Sequence, residues 1–282
     1  MHKSFTKTLF SSLRKEFNMS FVICHPGTFI MGSSPDEPGR SPWEIKHSVT
    51  LTDYFYISRF PVTRSQYKAV MGELPALDKY PISKTSLEMP VTFVSWQEAK
   101  AFCEELNDYT EEMRQYGYVF SLPTEAQWEY ACRAGSKTAL YNNLELTNIE
   151  GKCNNLDKIA WYRESSDRCS IISQPQPVGN KAPNSWGIYD MLGNVWEWCK
   201  DVKLRYPQRP PCEKERSRFA LPTTNPCITI PNDSHLAHVM RGGSWCSNAS
   251  DCRSAAKASE SPVNGFANSI GFRIVLTKPQ GK

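Results

Sequence analysis

The sequence predicts an α+β domain built from a few capped helices, short strands and much structured loop. Three observations carry this. Three Ser or Thr residues each stand three positions before a Gln or Glu and open an apolar helical face. Short apolar runs with strand-like alternation occupy the first fifth of the chain. Beyond Gly135 regular periodicity gives way to stretches rich in Pro and Asn, in a chain with 20 prolines and 12% aromatic residues.

The N-terminal stretch "MHKSFTKTLFSSLRKEFNM" is basic and Ser-rich, without an apolar run long enough for a secretory signal. As a helix it would align Phe5, Leu9 and Phe10 with Leu13 and Phe17. Residues 1–20 are expected to be a basic N-terminal extension, disordered or docking rather than targeting or membrane-anchoring. Residues 21–282 read as one continuous domain. From Ser20 to Met31, apolar runs broken by Pro26-Gly27 suit a strand, a turn and a second strand; Val49 to Ile57 alternates as another.

Helices are predicted behind Thr63-x-x-Gln66, Ser95-x-x-Glu98 and Thr124-x-x-Gln127, the spacing at which a hydroxyl and a carboxyl or amide satisfy unpaired backbone donors reciprocally. Tyr67, Val70 and Met71, then Trp96, Ala99, Cys103 and Leu106, then Trp128, Ala131 and Cys132 supply the apolar faces. Gly72 and Gly135 fall where left-handed C-caps belong. Residues 142–155 and 203–234 read as long loops, and no internal repeat appears.

With 40% apolar residues, 22% charged residues and a net charge of +4, the composition is that of an ordinary globular domain, too weakly basic to argue for nucleic acid. Ten cysteines scattered over 282 residues lack the spacing of a disulfide scaffold, so a reducing, cytoplasmic setting is the default. Nothing approaches a transmembrane span, and membrane association is not expected.

Seven segments occur in order: "PGTFIMGS", "RFPVTRSQYKAVMG", "PVTFVSWQEAKAFCEELN", "SLPTEAQWEYACRAG", "NSWGIYDMLGNVWEWCKD", "RGGSWCSNASDCRSAAK" and "SIGFRIV". Together they resemble the formylglycine-generating enzyme (sulfatase-modifying factor) family from about Phe21 to Val275. The resemblance implies a C-type-lectin-like fold with little regular secondary structure. The family's oxidases use copper and oxygen to convert a substrate cysteine to formylglycine. Other members belong to different enzymes or only bind ligands, so the sites must decide.

In "YDMLGNVWEWCKD" the resemblance implies a structural calcium site made by Asp190, the carbonyls of Gly193 and Val195, and Glu197. Carboxylates alternating with carbonyls of a bent loop suit calcium. The alternative is that Asp190 caps a turn, Glu197 pairs with an arginine such as Arg241, and Trp196 and Trp198 fill the core. The acidic loop of the oxidases' second calcium site is not reproduced in "CNNLDKIAWYRESSDRCSIISQPQPVG".

Copper(I) needs two converging thiolates. In the oxidases these lie between the Gly-Gly-Ser-aromatic segment and an Arg-x-Ala-Ala-Arg segment, which Arg253-Ser254-Ala255-Ala256-Lys257 matches here. Counting back puts the second family cysteine near Ala249; Cys246 approximates the first, while Cys252 falls where those enzymes have an aromatic residue. The plain reading of Cys252 is a small buried core residue; the other is a shifted metal-binding or disulfide pair with Cys246. His235 and His238 lack partners at a zinc-like spacing. No Gly-x-Ser-x-Gly nucleophile motif occurs, and "RGGS" lacks the Lys-Ser/Thr end of a phosphate loop.

Residues 241–275 look instead like variable ligand-facing positions in a fixed frame. The frame is Gly242-Gly243-Ser244-Trp245, Cys252-Arg253-Ser254-Ala255, Pro262 and Ile270-Gly271-Phe272-Arg273. Cys246, Ser247, Asn248, Asp251, Ala256, Ala258, Glu260, Asn264, Phe266 and Ser269, with Trp245 beside them, would face the ligand. This layout resembles the variable proteins of diversity-generating retroelements, several of which share the lectin-like fold. The expected role is a non-catalytic protein that binds a protein or surface ligand through this C-terminal face. The alternative is a copper-dependent formylglycine-generating oxidase using Cys246 and Cys252.

Overall fold

The computed structural model describes residues 2–78, 83–110, 116–164, 174–203, 224–230, 236–261 and 267–278, with residues 2–9 described by backbone alone. Helix α1 (His2–Phe17) opens the chain, and its second half packs inward: Leu13 and Phe17 are buried, and Phe10 stacks on Phe21 at 5.3 Å between ring centroids. The stretch expected as an extension therefore contributes to the core, through the same Phe10, Leu13 and Phe17 face that its periodicity outlines.

Strands β1 (Phe21–Cys24) and β2 (Gly27–Met31) flank Pro26 as expected, but each finds a different partner. The single strand expected from Val49 to Ile57 is two, β3 (His47–Leu51) and β4 (Phe55–Ser58), because the polar Thr52-Asp53 step breaks the ladder between them. β2 pairs with β3 as a two-stranded hairpin.

Helices α2 (Arg64–Met71), α3 (Lys84–Leu87), α4 (Trp96–Tyr109) and α5 (Glu125–Arg133) follow, with a short α6 (Asn154–Asp157). Thr63, Ser95 and Thr124 each form the complete reciprocal box with Gln66, Glu98 and Gln127. A fourth box, Ser83 with Ser86, starts α3; serine at the third position escaped the Gln/Glu pattern. Gly72 caps α2 at φ 84°, whereas α5 ends on Ala134 in the left-handed conformation with Gly135 next at φ 95°.

The remaining strands are β5 (Val119–Ser121), β6 (Trp196–Val202), β7 (His238–Arg241), β8 (Lys257–Glu260), β9 (Ile270–Gly271) and β10 (Val275–Thr277). One four-stranded sheet runs β1-β4-β10-β5 and the other β8-β7-β6-β9, in which β6 and β9 are parallel. Among the described residues two apolar clusters fill the interior, one around Trp128, Met191 and Cys252, the other around Phe102, Trp198 and Phe272. Among the described residues, mixed helices and short strands joined by long loops are the α+β arrangement expected from the sequence.

Candidate functional site

The C-terminal segment is held by three fully buried arginines: Arg241, which directly precedes the double glycine, Arg253 and Arg273. Arg241, the last residue of β7, pairs with Glu129 of α5 and donates to the carbonyls of Ser254, Ala255 and Ala256. Arg253 meets Glu37 at 2.5 Å and both carboxylate oxygens of Glu44 at 2.8 and 2.9 Å, and its remaining donors reach the carbonyls of Gly39 and Ser250. Arg273 forms a two-pronged pair with Glu197 at 2.6 and 2.8 Å. A guanidinium carries five donors in a rigid fork, so each arginine can tie a carboxylate to several loop carbonyls at once.

Gly242 and Gly243 carry the chain out of β7 at φ 98° and 76°, in the left-handed region. A Cβ at Gly243 would stand 2.5 Å from the Cys252 sulfur, so the double glycine lets the loop close over that thiol. Ser244 then starts a tight turn: its N–H donates to Ser247 Oγ at 3.1 Å, and the Trp245 indole N–H reaches the Asn268 carbonyl at 3.1 Å. Arg163, distant in sequence, clasps the turn from outside. It donates to the Cys246 carbonyl and to Asn248 Oδ1, both at 3.0 Å. Nothing in the sequence motifs singles out Arg163.

Of the residues expected to face a ligand, Glu260 is exposed, and Trp245, Cys246, Asn248, Asp251, Ala258 and Ser269 are half-buried. Two are not on the surface at all. Ser247 is buried because its hydroxyl closes the turn, and Ala256 because its carbonyl serves Arg241. Asn264 and Phe266 lie outside the described residues, as does His235. Asp251 is pushed above the ordinary carboxylate range by burial.

The two cysteines occupy different environments. Cys252 is sealed in the core, and burial pushes its thiol far above the ordinary range, so it stays protonated. Cys246 is half-buried with Ser244 Oγ at 3.4 Å, and both thiols are free.

Calcium was expected on Asp190, Gly193, Val195 and Glu197, and both carboxylates of that set have protein partners in this structure. Both Glu197 oxygens are committed to Arg273, and one also accepts the Trp128 indole N–H at 2.6 Å. Asp190 sits at φ 53° and accepts the Gly179 N–H at 2.7 Å; burial pushes its carboxyl up to about 6. Arg273 also donates to the Asp190 carbonyl at 3.3 Å, so a guanidinium already supplies the positive charge between these residues. Among the described residues no three His, Cys, Asp or Glu side chains cluster as a metal site. Glu197 thus pairs with an arginine, but with Arg273 rather than Arg241. His238 is buried against the Trp96 ring at 3.8 Å.

A family model for the sulfatase-modifying factor enzyme 1-like domain matches residues 6–278. Among curated proteins, the chain is 26% identical over 270 residues to the chaperone protein LppX of Paenibacillus barcinonensis, covering 82% of each. It is 29% identical over 204 residues to the formylglycine-generating enzyme of Mus musculus, covering 65% of this chain and 43% of that one. To the inactive C-alpha-formylglycine-generating enzyme 2 of Bos taurus it is 35% identical over 162 residues, covering 55% and 45%. The chain thus spans about half the length of the curated formylglycine-generating enzymes it matches. Among solved structures, PvdO from Pseudomonas aeruginosa aligns with a TM-score of 0.73 and 26% identity, over 91% of this chain and 93% of that one. Treponema denticola variable protein 1 aligns at 0.68 and 23%, over 93% and 95%, a likeness of fold. Among the described residues no helix is long and apolar enough to cross a membrane. On the match across residues 6–278 and the shared fold, the chain belongs to the FGE-sulfatase family, the family of the sulfatase-modifying factor enzyme 1-like domain.

Proposed function

We propose that this chain is a non-catalytic member of its family that binds a protein or surface ligand through the face carrying Trp245, Cys246, Asn248, Asp251, Ala258, Glu260 and Ser269. The observation that carries this reading is the burial of Cys252. A copper oxidase of this family would need two thiolates converging on one metal, and a sealed, protonated thiol beside a half-buried one supplies no such pair. What the segment does offer is a short loop pinned at its base by buried ion pairs and at its edge by Arg163, with polar side chains of mixed chemistry on the outside. Side chains on such a loop can change without disturbing the core. Relatives whose names describe an inactive enzyme and a chaperone accord with a role other than oxidation.

The test is a copper(I) titration against a coloured chelator. The expected result is no tight copper site, with Cys252→Ala leaving the titration unchanged. Tight copper binding that is lost in both Cys246→Ala and Cys252→Ala overturns the reading in favour of the oxidase. Diversification of the face by a retroelement is a finer part of the same proposal. It predicts, in the flanking DNA, a near-copy of the segment encoding Arg241 to Val275 that differs at template adenines and lies beside a reverse-transcriptase gene.

A further inference from the structure

A cleft of about 380 Å³ opens between the β2–β3 hairpin and the C-terminal end of α5, and no residue of the 241–275 segment lines it. Its volume falls within the range of about 300–1,000 Å³ typical of small-molecule sites. One wall is aromatic: Phe29 packs on Tyr130 at 5.2 Å and Tyr130 meets the Trp186 ring edge-on at 5.0 Å. The Tyr130 hydroxyl donates to the His25 carbonyl at 3.0 Å, which fixes the ring. At the rim Ile30 leaves 47% of its surface exposed, apolar area that folding has not covered.

The charges of the cleft divide into those already used and those left over. Arg133 spends its donors on Glu129, the Thr138 carbonyl and the Gly32 carbonyl, and Glu37 is held by Arg253. Lys46 and Lys137 remain. Both are exposed, Lys46 donates to Ser34 Oγ at 3.0 Å, and no carboxylate among the described residues forms an ion pair with either. An aromatic wall alone would attract a cation; two uncompensated lysines beside it reverse that preference.

We propose that this cleft binds a small organic anion with a flat apolar body, of the aromatic carboxylate class. The ring lies against Phe29, Tyr130 and Trp186, and the carboxylate is directed toward Lys46 and Lys137. This site is separate from the C-terminal face, and its success or failure leaves the reading of that face untouched.

The test uses the full chain with three probes of matched shape: naphthaleneacetate, naphthylmethylamine and naphthalenemethanol. Ligand-observed saturation-transfer NMR and calorimetry report binding. The acid is expected to saturate and to bind about tenfold tighter than the amine. Lys46→Gln with Lys137→Gln, both exposed and therefore neutral to folding, weakens the acid about tenfold and leaves the alcohol unchanged. Trp186→Ala weakens the acid and the alcohol together. The proposal is overturned by an amine that binds as tightly as the acid, by an unchanged affinity in the double lysine variant, or by no saturation with the acid up to about 10 mM.

Discussion

Replacing Arg253 with methionine tests what holds the C-terminal segment in place. Methionine keeps much of the aliphatic bulk but strands the buried Glu44 and the half-buried Glu37 carboxylates, which the guanidinium now satisfies at 2.5–2.9 Å. Breaking a buried pair from one side costs about 3–5 kcal/mol. With about 2.1 cal/mol/K of unfolding entropy per residue, a chain of 282 residues loses about 5–8 °C of melting midpoint. The loss depends on pH. In the parent, burial pushes both carboxyls up, but the two-pronged contact with Arg253 outweighs it at Glu44, which lies below its ordinary value. At Glu37, which meets a single guanidinium nitrogen, burial prevails and the carboxyl lies above it. Removing Arg253 raises both. A carboxyl raised above its unfolded value binds its proton preferentially in the fold, so the variant loses stability as pH climbs past about 4.5. Glu44 in the parent contributes stability that is present above that pH and lost below it. Both effects make the deficit largest at neutral pH and progressively smaller as the pH falls below about 4.5. Urea and thermal unfolding by circular dichroism at several pH values read it directly. The triple variant with Glu37→Gln and Glu44→Gln should recover most of the loss. A deficit under about 1 kcal/mol, or one equal at pH 4.5 and 7.5, refutes the argument.

Gly243→Ala is expected to cost about 1–3 kcal/mol in urea unfolding, since it forces a left-handed alanine against the Cys252 sulfur; an unchanged midpoint contradicts the close approach. Maleimide labelling with peptide mapping should modify Cys246 in the folded protein and Cys252 only after unfolding; equal rates contradict the sealed thiol. Burial, with the neighbouring Glu125 charge, pushes the Asp201 carboxyl up to about 7. Because the folded pKa lies above the unfolded one, stability falls as pH rises through this window, and a carbon NMR titration with a midpoint near 4 would count against it. Millimolar calcium should leave the melting midpoint unchanged, and a rise of more than about 3 °C would show that a donor set exists after all.

The local chemistry of this chain was legible in its sequence. Thr63, Ser95 and Thr124 announce their helices because a capping box is written within four consecutive residues and needs no tertiary context. The Ser83 box was missed because serine substitutes for Gln or Glu at its third position. Strand partners were not legible: β1 and β2 are joined by a short turn yet pair with β4 and β3, a choice made by the sheet as a whole. Cys252 could be read as core because it stands among small residues of the frame. Ser247 and Ala256 could not be separated from their exposed neighbours, because their burial follows from a turn hydrogen bond and from the reach of Arg241.

The buried ion pairs explain why family motifs can persist here whether or not the chain is a catalyst. Arg241, Arg253 and Arg273 each belong to a recognisable segment, and each pairs with a carboxylate 76 or more residues away. Losing any one arginine would strand a charge in the interior, so these positions are constrained by folding even if the loop between them oxidises nothing. The same constraint accounts for Glu197. Its place in the "NVWEW" segment suggests a metal ligand, yet Arg273 and Trp128 engage both carboxylate oxygens and make it the joint between β6, α5 and the C-terminal strands. Between these anchors the loop from Trp245 to Asp251 can vary at its partly exposed positions Cys246, Asn248, Ser250 and Asp251, while Ser247 closes the turn and Ala249 packs into the core. Any chemistry of the C-terminal segment must therefore be sought in the loop and not in the motifs that frame it.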